Sequence, residues 1–288
     1  MKIAWIGTGV MGKAMLQHLF AAGHEVYAYN RTLEKAADLK AKGISVCSTI
    51  ETCVAQKDVV FTMVGYPEDV EEIYFGKDGI LTHAKPGALL IDMTTSSPKL
   101  AIKIAAAAKA FQVLDAPVSG GDSGARNAAL SIMVGGEKEA FLAAKPLFET
   151  MGTNICYMGP SGSGQHTKAA NQIAVAGATA AMSEALYYTE QAGLNPEQVL
   201  AAITKGAAGS WQLTNMAPRV LKEDFAPGFY IKHFIKDMHI VQDVMNEHHI
   251  HLEMLDTVCS MYEDMMVNGM GNEGTQSLIK YYQKAKEK

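Results

Sequence analysis

Three polar residues near the middle of the chain, Lys168, Asn171 and Gln172, have types and a spacing that suit proton transfer. Spacings of three and four residues place side chains on one face of a helix, and the residues around these three are small. A lysine that is partly removed from water can exchange protons near neutral pH. We therefore expect Lys168 to act as a general acid or base, while the two amides position the lysine and a substrate. The alternative is an ordinary surface lysine.

A second segment, Ser119-Gly120-Gly121, follows an apolar run and could bind an anion. The serine offers a hydroxyl, and the two glycines allow successive backbone N–H groups to form a nest for a carboxylate. The segment Asp92–Pro98 also follows an apolar run and offers the hydroxyls of Thr94, Thr95 and Ser96 at the edge where open α/β sheets bind ligands. An ordinary turn and simple helix capping are the alternatives for these two segments.

A glycine motif, GTGVMG, lies directly after the apolar run Ile3–Ile6. This spacing between a strand and a helix is typical of dinucleotide sites, where Gly7 would allow the tight turn, Gly9 the approach of a pyrophosphate, and Gly12 close helix packing. Phosphates bind well at a helix N-terminus, because unpaired N–H groups and the helix dipole face them. The alternative is a glycine turn without a ligand. We expect cofactor contacts along the whole motif: Gly7, Thr8, Gly9, Val10, Met11 and Gly12.

The second strand-like run ends in Asn30, Arg31 and Thr32, with no acidic residue. In NAD sites, an acidic residue about twenty positions after the glycines accepts a hydrogen bond from the ribose 2′-OH. Asn30 can bind a ribose without repelling a phosphate, and Arg31 can bind a 2′-phosphate through charge-assisted hydrogen bonds. These three residues are therefore predicted to contact NADP, which we expect to be preferred, with NAD possible. The alternative is that Arg31 is a solvated surface residue.

The composition of the 288-residue chain, 48% hydrophobic and 19% charged with a net charge of −5, is typical of a soluble globular enzyme. The charge gives no basic surface for nucleic acid, and no apolar run is long enough to cross a membrane. The four cysteines form no C-x-x-C motif, so we expect free thiols in a reducing cytoplasm. The sequence starts directly in a strand-like run, and we therefore expect no signal peptide. His248, His249 and His251 lie close together but lack partners at ligand spacing, and no metal is expected.

Strand and helix patterns alternate up to about Gly159, and only helical patterns follow. The alternation predicts a doubly wound, mostly parallel sheet in a domain spanning 1–162, followed by an all-helical domain spanning 163–288. A long helix of small residues, 165–192, joins the two and suggests a homodimer or homotetramer. Ser48 and Glu51 have capping-box spacing. Trp211 is expected in the core, and the alternatives are a wall of the substrate pocket or a subunit interface. Further helices are predicted over 67–75, 98–111, 137–150, 211–222, 234–248, 252–268 and 274–286.

Five motifs, in order, resemble those of the β-hydroxyacid dehydrogenase family: GTGVMG, DMTTSSP, DAPVSGG, GSGQHTKAANQ and FIKDM. This family includes 3-hydroxyisobutyrate dehydrogenase, tartronate semialdehyde reductase and the glyoxylate/succinic semialdehyde reductases. The resemblance covers nearly the whole chain. It implies a Rossmann domain joined by a long helix to an all-helical domain, with Lys168 as the catalytic acid/base and Ser119, Gly120 and Gly121 at the substrate carboxylate.

The resemblance also implies roles for residues that their own types would not single out. Thr95 and Lys236 would contact the cofactor, and Phe229 and Asp237 would lie near the substrate or orient the site. Many members carry a second asparagine where this chain has Gln172, which bears on the shape of the substrate. Many also have Leu-Pro after the fourth strand, where this chain has Met63 and Val64 in a loop still expected to touch the cofactor.

These residues together predict an NADP-dependent oxidoreductase that interconverts a small 3-hydroxy acid and its semialdehyde or keto acid. A dehydrogenase of the 3-hydroxyisobutyrate type that prefers NAD is the nearest alternative. An imine reductase is a further one, although those enzymes generally replace the lysine that stands here as Lys168. The 6-phosphogluconate dehydrogenases share the opening motifs but need a larger helical half. A non-catalytic NADP-binding protein would bind the cofactor without turnover.

Overall fold

A nine-stranded sheet forms the centre of the first part of the chain in the computed structural model, which describes residues 1–284. Its strand order is β3-β2-β1-β4-β5-β6-β8-β7, and β9 pairs with β8. Pairing is antiparallel only where β8 meets β6 and β7. The mostly parallel sheet predicted from the sequence is confirmed. The strands are β1 Lys2–Ile6, β2 Glu25–Tyr29, β3 Ser45–Val46, β4 Val59–Thr62, β5 Leu89–Asp92, β6 Gln112–Asp115, β7 Val118–Ser119, β8 Leu130–Gly136 and β9 Gly152–Gly159.

Both faces of this sheet are covered, as the sequence of β1 illustrates. Side chains alternate between the faces of a strand. Ile3 and Trp5 belong to one buried cluster, whereas Ala4 and Ile6 belong to another. The sheet is therefore doubly wound, as predicted. The helices of this part are α1 Val10–Ala21, α2 Ala37–Ala41, α3 Ile50–Val54, α4 Pro67–Phe75, α5 Ile80–His83, α6 Pro98–Ala107, α7 Gly121–Arg126 and α8 Lys138–Phe148.

Among the described residues, helices follow the sheet and no further strand does, apart from an isolated bridge between Tyr230 and Gly274. The first of these helices, α9 Ser163–Gln191, is the longest described. The chain divides within α9 into two compact units, Met1–Lys168 and Ala169–Lys288. In the second unit, Ala176 of α9 belongs to the same buried cluster as apolar residues of α13 and α14. Among the described residues, no helix has the length and apolarity to span a bilayer. The remaining helices are α10 Pro196–Ile203, α11 Trp211–Asn215, α12 Ala217–Val220, α13 Ile231–Glu247, α14 Glu253–Val267 and α15 Ile279–Lys284.

Several local predictions were wrong. The capping box at α3 uses Thr49 and Thr52 instead of Ser48 and Glu51. The helix predicted over 211–222 is divided into α11 and α12, and Trp211 is 60% exposed, not part of a core. A 3₁₀ turn, Thr275–Leu278, precedes α15, and the last two residues of the helix predicted over 274–286 lie outside the described part of the chain.

Candidate active site

The glycine loop between β1 and α1 lies at the carboxyl end of the parallel strands, where the strand order reverses between β1 and β4. Gly7 has a φ of +99°, and a Cβ there would lie 2.1 Å from the carbonyl oxygen of Met63. A Cβ at Gly12 would lie equally close, 2.1 Å, to the carbonyl oxygen of Gly7. A Cβ at Gly9, by contrast, would have no described heavy atom within 4 Å. The loop is thus tightly packed at Gly7 and Gly12 and has open space next to Gly9.

This loop has the features that a dinucleotide needs. The side-chain Oγ1 of Thr8 is buried and has no hydrogen-bond partner among the described residues. No side chain caps the N-terminus of α1, and its first turn contains no acidic residue. A pyrophosphate would find open space above Gly9 and unpaired N–H groups at the helix end, where the helix dipole favours an anion. The residues present therefore fit the diphosphate of a nicotinamide dinucleotide.

Asn30 and Arg31, after β2, have different surroundings. The Oδ1 of Asn30 accepts a hydrogen bond from the backbone N–H of Thr8 at 2.9 Å, and its Nδ2 donates to the carbonyl oxygen of Thr32 at 2.8 Å. Asn30 therefore links the glycine loop to the loop after β2. Arg31 is exposed, and its Nη1 lies 2.9 Å from Oδ1 of Asp69 on α4. A phosphate that binds this guanidinium would have to share it with Asp69.

A buried carboxylate connects the loops after β4 and β5. The hydroxyl of Thr62 and the backbone N–H of Thr94 donate to Oδ1 of Asp92, at 2.7 and 3.1 Å. The hydroxyl of Thr94 in turn accepts from the N–H of Val64 at 3.0 Å. Burial raises the pKa of Asp92 to about 6, although the hydrogen bonds from Thr62 and Thr94 lower it. The network holds Val64, and the segment that contains Thr95, to the end of the sheet.

A second buried carboxylate, Asp115, fixes the start of α9. Its Oδ1 accepts from the N–H of Gly162 at 2.8 Å, and its Oδ2 accepts from the N–H of Gln165 at 2.9 Å. Burial raises the pKa of Asp115, while these backbone hydrogen bonds lower it. Since Asp92 and Asp115 are register partners on β5 and β6, the two carboxylates lie side by side at the sheet edge.

Gln165 forms a further connection to the loop after β5. Its Oε1 accepts from the N–H of Ser96 at 2.9 Å, and its Nε2 donates to the carbonyl oxygen of Thr94 at 2.7 Å. Gln165, Asp92 and Asp115 lie within three of the sequence motifs, but their residue types alone predict no role for them. The available signal was the placement of each aspartate at a strand end.

Lys168 lies one turn after Gln165 on α9 and is only 7% exposed. This burial excludes the alternative of a solvated surface lysine.

The predicted carboxylate nest starts at the end of β7. Gly120 and Gly121 have φ values of +129° and +61°, a conformation that side chains disfavour. The segment therefore turns at two residues whose backbone conformation favours glycine, and its binding of a carboxylate stays a prediction.

In the second unit, the predicted site residues form one row of polar contacts. Asn171 donates from Nδ2 to Oε1 of Gln172 at 2.7 Å, and Gln172 donates from Nε2 to Oδ2 of Asp237 at 2.6 Å. The ammonium of Lys236 lies 2.7 Å from the other oxygen of Asp237, as an ion pair without hydrogen-bond geometry. Phe229 lies nearby in sequence and packs on Phe234, with ring centroids 5.5 Å apart.

The fold and the dinucleotide-compatible loop define the class of protein, an NAD(P)-dependent oxidoreductase with a Rossmann-type unit followed by a helical unit. Residues 2–159 match a family model described as the NAD binding domain of 6-phosphogluconate dehydrogenase. Residues 162–282 match a model described as "NAD-binding of NADP-dependent 3-hydroxyisobutyrate dehydrogenase". The chain belongs to the 3-hydroxyisobutyrate dehydrogenase family.

Individual relatives agree with this assignment. An uncharacterised oxidoreductase of Bacillus subtilis, YkwC, is 54% identical over 98% of this chain and 99% of its own length. The 2-hydroxy-3-oxopropionate reductase of Escherichia coli is 36% identical over 93% of this chain and 92% of its own. The structure of Mycobacterium tuberculosis 3-hydroxyisobutyrate dehydrogenase with L-serine has a TM-score of 0.88 at 30% identity, covering 96% of this chain and 97% of that one. The predicted family, fold class and enzyme class are confirmed.

Proposed function

We propose that this enzyme interconverts a small 3-hydroxy acid and its semialdehyde, with NADP as the preferred cofactor and Lys168 as the general acid/base. The observation that carries the proposal is the burial of Lys168, which is 7% exposed on a helix whose start is fixed by Asp115 and Gln165. A buried lysine needs a chemical reason, because removing its charge from water costs free energy. The E. coli relative, by its name a reductase of 2-hydroxy-3-oxopropionate, supports a small semialdehyde as the substrate.

The proposed mechanism assigns a proton to Lys168. A bound nicotinamide would supply a hydride to the carbonyl carbon of the substrate. The ammonium of Lys168 would donate a proton to the carbonyl oxygen, which becomes a hydroxyl, and the neutral amine would accept it in the reverse direction. The hydroxyl of Ser119 and the N–H groups of Gly120 and Gly121 would bind the carboxylate of the substrate.

In the second unit, Asp237 would orient the side-chain amides of Gln172 and Asn171. The Asp237 carboxylate holds Nε2 of Gln172, which leaves Oε1 of Gln172 to accept from Asn171. This order fixes which end of each amide donates and which accepts. Asn171 and Gln172 would thus present defined polar groups to a substrate, and the extra methylene of Gln172 would shape the pocket. Contact of Lys236 and Thr95 with the cofactor, a substrate-facing Phe229, the domain boundary at 162/163, a homodimer or homotetramer, and a cytoplasmic location stay predictions.

Replacing Lys168 tests this proposal. Lys168→Ala should lower kcat by about 10²–10⁴-fold, because a positioned general acid contributes a factor of that order. NADPH oxidation is measured with glyoxylate and with succinic, tartronate and methylmalonate semialdehydes, beside NADH. Binding of NADPH, followed by its fluorescence, should change little.

Lys205→Ala serves as the control, because it removes the same charge from an exposed position. Its kcat should equal that of the unaltered enzyme. A Lys168→Ala enzyme with unaltered kcat on every substrate that the unaltered enzyme reduces would contradict the assignment of the acid/base.

A further inference from the structure

Three side chains with metal-binding atoms lie close together in the second unit. They are distinct from the hydrogen-bonded residues Asn171, Gln172 and Asp237. His239 lies on α13, and Cys259 and Glu263 lie on α14. One ligand atom from each of the three lies within 4.8 Å of the other two. The Nε2 of His239 is 2.7 Å from Oε1 of Glu263. Local sequence does not reveal this cluster, because His239 and Cys259 are twenty positions apart.

Helix geometry explains the convergence. Cys259 and Glu263 are four residues apart on α14, and Asp256 lies three residues before the cysteine, so the three share one face. On α13, Gln242 follows His239 by three residues. Its Nε2 donates to Oδ1 of Asp256 at 2.8 Å, and its Oε1 lies 3.9 Å from Sγ of Cys259. The two helices are thus held together by a polar strip beside their shared apolar core.

The surroundings of the thiol are negative. Asp256 lies one turn before Cys259 on α14, and Glu263 lies one turn after it, so a carboxylate lies on each side of the sulfur along the helix. Two carboxylates next to a sulfur repel the charge of a thiolate but attract a divalent cation. A cation in this position would compensate the negative charges of both carboxylates. Its binding to the sulfur would release the thiol proton to solvent, and the cation would then compensate the charge of the thiolate as well.

We propose that His239, Cys259 and Glu263 bind one Zn²⁺ ion. Imidazole, thiolate and carboxylate are all zinc ligands, whereas Mg²⁺ and Ca²⁺ prefer oxygen alone. Water would occupy the fourth position of the tetrahedron. Ligand bonds of about 2.0–2.3 Å require ligand atoms roughly 3.3–3.7 Å apart. His239 and Glu263 have side chains that are 49% and 50% exposed, and their rotation can supply this adjustment.

Zinc in this site would clamp α13 to α14. Because Asp237 and His239 lie two residues apart on α13, the clamp would stabilise the helix that carries Lys236 and Asp237. A ligand that binds only the folded state raises its stability in proportion to the logarithm of ligand concentration over Kd. We therefore expect Zn²⁺ to raise the Tm of the chelator-treated protein.

The experiment uses untagged, chelator-treated, full-length protein titrated with Zn²⁺ by calorimetry and with Co²⁺ by absorbance. Zinc should bind at one equivalent, and cobalt should produce a thiolate-to-metal charge-transfer band. Cys259→Ala should abolish the band. His239→Ala and Glu263→Gln, which alter half-exposed side chains, should weaken binding by more than about tenfold, since even outer partners of a metal are typically worth 10–100-fold.

Cys156→Ala and His248→Ala are the matched controls, because they remove a thiol and an imidazole outside the cluster. Both should keep the band and the zinc affinity. The proposal is overturned if the protein binds neither metal, or if the band survives in Cys259→Ala. It is also overturned if His248→Ala weakens binding and the folded variants His239→Ala and Glu263→Gln do not. In each of these cases His239 and Glu263 form only a hydrogen-bonded surface pair.

Discussion

Asn30 illustrates how much a single side chain organises at the cofactor end of the sheet. Its amide accepts from Thr8 and donates to Thr32, so one residue sets the relative position of two loops. A carboxylate could replace the acceptor but not the donor. Arg31, next to it, is exposed and engaged with Asp69. Any preference for a 2′-phosphate therefore depends on an arginine that a nearby acid partly neutralises.

Asn30→Asp and Arg31→Ala should each weaken the binding of NADPH more than the binding of NADH. The carboxylate introduced by the first variant would still accept from Thr8 but would repel a 2′-phosphate, and the second variant removes the cation that binds it. We expect the KM for NADPH to rise by about tenfold or more in each, a loss equal to one charge-assisted contact. The KM for NADH should stay constant or fall. Steady-state kinetics with both cofactors measures this.

Arg126→Ala provides the control for the arginine, since Arg126 is also exposed and paired with an acid, Asp122, on α7. It should leave both KM values unaltered. Equal changes for NADPH and NADH in Arg31→Ala would contradict the predicted NADP preference.

The sequence predicted single residues well where the backbone alone dictates the type. Gly7 was singled out for a tight turn, and its φ of +99° requires glycine. Partners separated along the chain were not predictable. Asp115 contacts N–H groups 47 and 50 residues away, and Gln165 contacts a carbonyl 71 residues away. Such pairs depend on how strands and helices pack, which no local pattern specifies.

Hydrogen bonds from two side chains, Asp115 and Gln165, hold the start of helix α9 to the sheet and to the loop after β5. Asp115 binds its first N–H groups, and Gln165 binds the loop after β5. Glycine permits this approach, because a Cβ at Gly164 would lie 2.5 Å from the carbonyl oxygen of Met133. The position of Lys168, one turn further along, follows from these contacts.

Gln165→Ala should therefore reduce both stability and turnover. It would leave the N–H of Ser96 and the carbonyl of Thr94 buried without partners, at a cost of about 1–3 kcal/mol for each group. We expect a lower urea midpoint and a lower kcat, because Lys168 would lose its fixed position. His166→Ala, an exposed neighbour on the same helix, should alter neither. A stable Gln165→Ala enzyme with normal kcat would show that these hydrogen bonds do not position the lysine.

Element boundaries were predicted unevenly. For α4, the predicted range 67–75 agrees with Pro67–Phe75, since proline marks the start and Gly76 follows its end. The helix predicted over 211–222 was instead two helices, with Pro218 in the first turn of the second. Periodic patterns fix the existence and type of an element, but short helices depend on turns whose partners are distant.

The whole molecule places two carboxylates, Asp92 and Asp115, at the buried edge of its nine-stranded sheet. Each has a raised pKa, with burial as the main cause. A raised pKa means that the folded chain holds a proton at a pH where the unfolded chain has lost it. The stability that comes from this proton is complete below the unfolded pKa near 4 and is lost as pH rises through the folded pKa.

Asp92→Asn should remove this pH dependence. For Asp92, the rise from 3.8 to about 6 corresponds to about 3 kcal/mol between pH 4 and pH 7, at about 1.4 kcal/mol for each pKa unit. The amide oxygen introduced by this variant can still accept from Thr62 and Thr94, so the fold should persist. Relative to the unaltered protein, the variant should gain unfolding free energy across this interval, measured by urea unfolding with the fluorescence of the buried Trp5. Asp224→Asn provides the contrast, because the hydrogen bond from Arg219 lowers the pKa of Asp224. The stability that this carboxylate provides is fully present above the unfolded pKa near 4, so the difference between Asp224→Asn and the unaltered protein should stay constant from pH 4 to pH 7 and change only below pH 4. A constant difference between Asp92→Asn and the unaltered protein from pH 4 to pH 7 would mean that Asp92 ionises as easily in the folded chain as in the unfolded one.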